Sequence, residues 1–280
     1  MIQRNDQSSN SEIFKDFVVE VTADGSPTAR LKTEQAERTE SMHNSQGAAA
    51  ETVYIYTNPF RYMLQNLHRE NEINSLVVGL GLGYIELNIL NELLKQDKIS
   101  REIQFNLLTF EKNEELRNTF RQSIEHLFNN NEKSKTTALY EQIIQFVVNQ
   151  HELRATHVIE FASQTLHDQK AFDVNLNWKI LEELNLQTQT DKRFHFVAYD
   201  AYSQRTDHPL WTEEFLNDFV EKFCHQNCVF STYACTGTLK RTLIKHGFTL
   251  VKRNGFKGKR EATLAFRGVF NNDPQLFQIF

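Results

Sequence analysis

Ser75-Leu76-Val77-Val78-Gly79-Leu80-Gly81-Leu82-Gly83-Tyr84-Ile85-Glu86-Leu87-Asn88-Ile89-Leu90 is the stretch that decides the fold. A short apolar run rich in branched residues ends on three alternate glycines, and a longer stretch through Leu94 follows at once. Run and stretch have the lengths of a buried strand and a helix, so the unit reads as strand, glycine turn, helix. Glycines at such a junction permit a tight turn and let a ligand approach the backbone N–H groups at the positive end of the helix.

Outward from this unit the same rhythm continues. Phe105 to Phe110 reads as a second strand and Glu114 to Phe128 as a second helix, which makes a βαβα repeat. Further strands are expected at Val174 to Trp178, Phe194 to Tyr199 and Val229 to Tyr233, with helices at Lys179 to Leu186, Thr212 to Phe223 and Thr238 to His246. Residues 129–170 look inserted and include a helix from Thr137 to Asn149. Phe248 to Lys252 and Ala262 to Phe266 are joined through Gly255 and Gly258, a connection too short for a parallel crossover, so they form an antiparallel pair. The expected architecture is α/β, an open, mostly parallel sheet ending in an antiparallel hairpin. Residues 1–16 are polar and read as a flexible start, and 17–74 as a small accessory region with a strand at Phe17 to Thr22, a turn at Asp24-Gly25-Ser26-Pro27 and a helix within Ser41 to Ile55. The main domain then spans 75–270, and 271–280 form a tail.

Composition agrees with a helix-rich α/β chain. Gly and Pro make up only 14 of 280 residues, which argues against collagen-like, low-complexity or glycine-rich all-β designs. No apolar run approaches the roughly 18 residues that cross a bilayer, and the first seventeen residues lack the apolar core of a signal peptide, so a water-soluble, cytoplasmic protein with no membrane partner is expected. Cys224, Cys228 and Cys235 are an odd set without a companion cluster, which points to reduced thiols and no metal. Net charge is −5, yet residues 239–267 carry nine basic residues against Glu261 alone. That +8 segment beside an acidic body suits a local phosphate-contacting surface, with a solvated helix face as the alternative.

Two carboxylates stand where open sheets bind ligands. A dinucleotide fingerprint would put its third glycine at 84, where Tyr84 stands, so Gly79, Gly81 and Gly83 match the loop of S-adenosylmethionine enzymes better than that of a dehydrogenase. Glu111 ends the second strand 28 residues after Gly83 and is placed to accept both hydrogen bonds of a ribose diol. Asp200 ends the strand Phe194 to Tyr199 and opens Asp200-Ala201-Tyr202-Ser203, ahead of Pro209-Leu210-Trp211. A carboxylate there faces the ligand crevice.

With these residues in hand the chain resembles the methyltransferase domain of the bacterial tRNA-modifying enzyme MnmC, in a form without the FAD-dependent oxidase domain. Six ordered pieces carry the resemblance: Thr22 to Thr28, His43 to Glu51, the glycine loop, Asp200 to Trp211, Ser231-Thr232-Tyr233, and His246-Gly247-Phe248 leading to Gly255 through Glu261. The loop departs from the family in its apolar Val78, Leu80, Leu82 and Ile85. The resemblance implies a Rossmann-like class I fold, S-adenosyl-L-methionine as cofactor, tRNA as partner, and methyl transfer to the aminomethyl group of a wobble uridine. It implies a link to an oxidase acting on the same uridine. Asp200 and Tyr202 would serve catalysis, and Asp24, Ser26, His43, Ser45, Glu51, Lys257, Lys259 and Arg260 would bind substrate. For Asp24, Ser26 and Ser45, turn and helix capping are the competing readings. Another amine or RNA acceptor, or a non-catalytic RNA-binding module, are the alternative functions.

Overall fold

The computed structural model describes residues 13–32, 40–67, 70–95, 103–131, 134–149, 151–167, 175–257 and 261–271. Nine strands are present among them: β1 (Phe17–Val21), β2 (Pro27–Leu31), β3 (Glu72–Val78), β4 (Gln104–Phe110), β5 (Asn175–Leu181), β6 (Phe194–Tyr199), β7 (Cys224–Thr232), β8 (Thr249–Arg253) and β9 (Ala262–Arg267). The helices are α1 (Ala48–Thr52), α2 (Asn58–Asn66), α3 (Tyr84–Leu94), α4 (Glu114–Phe128), α5 (Lys135–Val147), α6 (Glu152–Leu166), α7 (Glu213–Phe223) and α8 (Gly237–Lys245). One π turn, Val53–Thr57, joins α1 to α2.

Seven strands form one sheet in the order β5-β4-β3-β6-β7-β9-β8. The first five run parallel, and β9 lies antiparallel to both β7 and β8. This is the expected Rossmann-like, mostly parallel sheet with its closing antiparallel hairpin. Helices cover both faces, so β6 is buried at all six residues and is apolar apart from His195. Phe196 and Ala198 face the side packed by α2 and α3, whereas Val197 and Tyr199 face Trp211, Phe215, Phe219 and Leu239. The registers matter for function: Val78 pairs with Phe110 and with Tyr199, so β3, β4 and β6 end on one level and the residues just beyond them form a row.

Four expectations change. The helix expected at Lys179 to Leu186 is absent; β5 runs on to Leu181 in register with β4, burying Trp178 and Ile180 while Lys179 and Leu181 stay exposed. That alternation has strand period. The inserted region holds the expected helix as α5 and a second one, α6, whose Val158, Phe161 and Ala162 are fully buried against α3 and α4. The helix expected within Ser41 to Ile55 starts only at Ala48, because Ser41 to Gly47 instead cross the open end of the sheet as a strap. At the start of the chain, residues 1–12 lie outside the described residues, but Phe14 is buried at 1% exposure and the N–H groups of Lys15 and Asp16 donate to Glu115, so the stretch read as flexible is ordered from Ile13. Of the tail 271–280, residues 272–280 lie outside the described residues.

Candidate active site

Because three parallel strands end level, Gly79, Glu111 and Asp200 stand side by side, tied by main-chain bonds from Gly79 N–H to Phe110 O at 2.8 Å and from Asp200 N–H to Val78 O at 2.8 Å. They border a cleft of about 1830 Å³, larger than the roughly 300–1,000 Å³ of common small-molecule sites. It has room for a cofactor and a second reactant.

The three loop glycines do different work. All have positive φ, 95° at Gly79, 53° at Gly81 and 78° at Gly83. A side chain at Gly79 would place its Cβ 2.7 Å from the Asp200 carbonyl oxygen, so glycine there lets two strand ends touch. Gly83 begins α3, and a Cβ there would come 2.4 Å from the Phe120 ring, so it is a packing glycine behind the cleft wall. Gly81 faces the cleft, with the Met42 sulfur 3.3 Å from where its Cβ would be. Leu80 and Leu82 are buried in the core, which explains why this loop is apolar between its glycines.

Glu111 accepts from Gly81 N–H on Oε2 at 3.1 Å and from Asn113 N–H on Oε1 at 2.8 Å. Burial pushes its carboxyl above the usual range, and those N–H groups pull it back. A carboxylate offers about four lone-pair positions, so each oxygen can accept once more from the cleft. Glycine loop, uncapped helix start and carboxylate together fit the ribose and charged end of S-adenosylmethionine.

Asp200 has an aromatic setting. The Tyr56 hydroxyl donates to its Oδ1. Tyr233, beyond the end of β7, donates its hydroxyl to the Ala201 carbonyl at 2.9 Å. Tyr202 lines the cleft with its hydroxyl buried and unpartnered among the described residues; burial first, then the charges of Glu111, Glu40 and Asp200, push its pKa up and keep the hydroxyl protonated. Glu40 on the strap accepts from Ser203 Oγ at 2.9 Å and from Thr206 Oγ1 at 2.7 Å, which fastens the loop after β6 under the strap.

The remaining residues read as substrate contacts separate into groups. Ser26 is fully buried and its Oγ accepts from Ala48 and Ala49 N–H, both at 3.0 Å, while Asp24 accepts from Ser26 Oγ and from Ala50 N–H. They cap α1 and do not line the cleft. Glu51, also buried, accepts from Asn44 N–H at 2.6 Å and braces the strap. His43 and Ser45 do line the cleft; His43 bonds Thr28 at 3.0 Å and sets its ring edge-on to Tyr84. Lys257 is exposed, away from the cleft lining, and Lys259 and Arg260 lie outside the described residues. The basic segment is not one solvated stripe: Arg253 is buried, Arg267 donates to the Cys224, His225 and His246 carbonyls, and Lys240 pairs with Glu261 at 2.7 Å. The three cysteines are free, and the described residues hold no cluster suited to a metal. Among the described residues no helix is long and apolar enough to cross a membrane.

Sequence reasoning missed Tyr56, Glu40 and Arg253 as site residues. Nothing local marks them: Tyr56 lies in an apolar helical stretch and Glu40 beyond a polar one. Tyr233 carried a signal, since it directly follows the strand next to Asp200's own at the sheet's ligand end, but only the β6–β7 register makes that visible.

Comparisons with known proteins agree with the fold. The model of a family described as S-adenosyl-L-methionine-dependent methyltransferase matches residues 139–268, a span that includes Asp200 but begins after the glycine loop. The crystal structure of MNMC2 from Aquifex aeolicus is similar over 89% of this chain and 70% of that one, with a TM-score of 0.60 and 21% identity. An uncharacterized protein of Methanocaldococcus jannaschii, MJ0670, is 22% identical over 259 residues, 91% of this chain; the chain spans 61% of that relative's length.

Proposed function

We propose that this chain, an S-adenosylmethionine-dependent methyltransferase by fold and an MnmC-like domain, methylates the aminomethyl group of a tRNA wobble uridine. The observation that carries the reading is Asp200, held by Tyr56 at the end of β6 on the cleft, one strand away from the glycine loop. S-adenosylmethionine supplies a methyl group already activated on a sulfonium, so the protein's task is alignment and a neutral amine. Gly81 and Glu111 would hold the cofactor. Asp200 would accept a hydrogen bond from the acceptor amine, aim its lone pair along the line of transfer, and take up the proton that the nitrogen sheds. Tyr202 would wall the pocket and offer its hydroxyl to the acceptor, and His43 and Ser45 would close over it from the strap. Exposed Lys257, with Lys259 and Arg260, would meet tRNA phosphates.

On this reading the protein works in the cytoplasm, in sequence with an FAD-dependent oxidase that exposes the amine. Nucleoside analysis of tRNA from a deletion strain tests it: aminomethyluridine should accumulate and methylaminomethyluridine disappear. Unchanged tRNA nucleosides would assign the enzyme a different acceptor.

A further inference from the structure

The helical segment that crosses the ligand end of the sheet is not α throughout. At Val53–Thr57 the helix widens into a π turn, in which Asn58 N–H donates to the Val53 carbonyl five residues back. Such turns are rare and gather at functional positions. Val53-Tyr54-Ile55-Tyr56-Thr57 contains no glycine or proline to force one. Pro59, four residues beyond Ile55, has no N–H for the Ile55 carbonyl, and tertiary donors take its place. Arg253, buried at the end of β8, donates to the Tyr54 and Ile55 carbonyls and lays its guanidinium 4.0 Å from the Tyr54 ring centre. Ser231 of β7 donates its hydroxyl to the same Ile55 carbonyl at 2.5 Å. The next residue is Tyr56, whose hydroxyl donates to Asp200 Oδ1 and accepts from Tyr233 N–H at 3.4 Å.

We propose that Tyr56 is the positioning residue of Asp200, and that the π turn clamped by Arg253 and Ser231 is the device that presents it. The inference rests on the role proposed for Asp200 above. An O–H group donating to a carboxylate favours its charged form and fixes its orientation. The Asp200 charge raises the pKa of the Tyr56, Tyr202 and Tyr233 hydroxyls and of the buried Glu86 carboxyl below the glycine loop, so these groups stand within its electrostatic reach. Tyr56 donates directly to Asp200. The link also gives the closing hairpin a part in the site: Arg253 is connected to Asp200 through the helix.

The test is a carbon-13 carboxyl NMR titration of Asp200, assigned with Asp200→Asn, in the wild type, Tyr56→Phe and Ser231→Ala. Tyr56→Phe should move the Asp200 titration upward by about one pH unit or more. Methyl transfer to hypomodified tRNA should fall about 10- to 100-fold in kcat, the acid limb of the rate profile should shift the same way, and KM for S-adenosylmethionine should hold. Ser231→Ala should do the same to a smaller degree, and it carries the test if Tyr56→Phe folds poorly. An unmoved Asp200 titration with a lowered melting temperature would make the π turn a structural prop and overturn the proposal. If the wild type methylates no tRNA, the functional reading fails on that ground alone, while the titration still decides the role of Tyr56.

Discussion

Two helix starts in this molecule pose the same physical problem and solve it differently. The first N–H groups of any helix lack partners inside it. At α1 they are taken by the chain itself: Ser26 serves Ala48 and Ala49, and Asp24 serves Ala50. At α3 the residue before the helix is Gly83, no side chain caps the start, and the turn leading to it borders the cleft with a carboxylate alongside. Polar residues beside the α1 start look like ligand contacts in sequence but are spent on the backbone. The α3 start, where a loop of glycines brings no capping side chain, is the one we propose for the cofactor.

Substitutions at the two starts should therefore separate binding from folding, and the largest effect belongs to Gly81→Val. With φ at 53° any side chain costs roughly 1–2 kcal/mol of folding stability. A branched side chain aimed at the cleft should cost affinity for S-adenosylmethionine by about 100-fold or more, the scale of overpacking a close contact. Calorimetric titration beside a melting curve reads both, and equal losses would mean the loop is merely structural. Glu111→Ala comes next. Losing a charge-assisted pair of acceptors should weaken cofactor binding by about 1.5–3 kcal/mol; an unchanged dissociation constant would leave Glu111 only its bonds to Gly81 and Asn113.

Ser26→Ala probes the other start, and the pattern should invert. Stability should fall by about 1–2 kcal/mol, as for other helix caps, with cofactor affinity held within about twofold; a loss of affinity equal to that of Glu111→Ala would return Ser26 to the site. The smallest effect near neutral pH concerns Glu86, fully buried in the first turn of α3, where its carboxyl accepts from Thr109 and burial pushes it up to about 8. The folded protein keeps this proton after the unfolded chain has shed it. The stability associated with it is thus complete below about pH 4.5 and is lost as pH rises through about 8. Denaturation midpoints of Glu86→Gln should follow the wild type at pH 5 and exceed it at pH 9. Parallel profiles would show that Glu86 is ionised throughout.

The sheet and the cofactor end were legible because their signals are local. Val77-Val78 followed by alternate glycines states a strand, a turn and a helix within one short window, and Glu111 and Asp200 each end their own apolar run. The β5 extension was not legible, since Lys179 to Leu181 become strand only by pairing with β4. Nor was the fate of the basic segment: Arg253 and Lys257 look alike in sequence, yet one satisfies helix carbonyls in the interior and the other meets solvent.

What the sequence alone determined is the order of elements and the identity of the groups that end the strands, because hydrophobic period and glycine placement act between neighbours in the chain. What only the tertiary structure decided is which of its polar residues face the cleft. Parallel register put Gly79, Glu111 and Asp200 in one row. Long-range bonds took Ser26, Asp24 and Arg253 out of reach and brought Tyr56 to Asp200. A buried polar group must find a partner wherever the fold offers one, and that partner is rarely a neighbour in sequence.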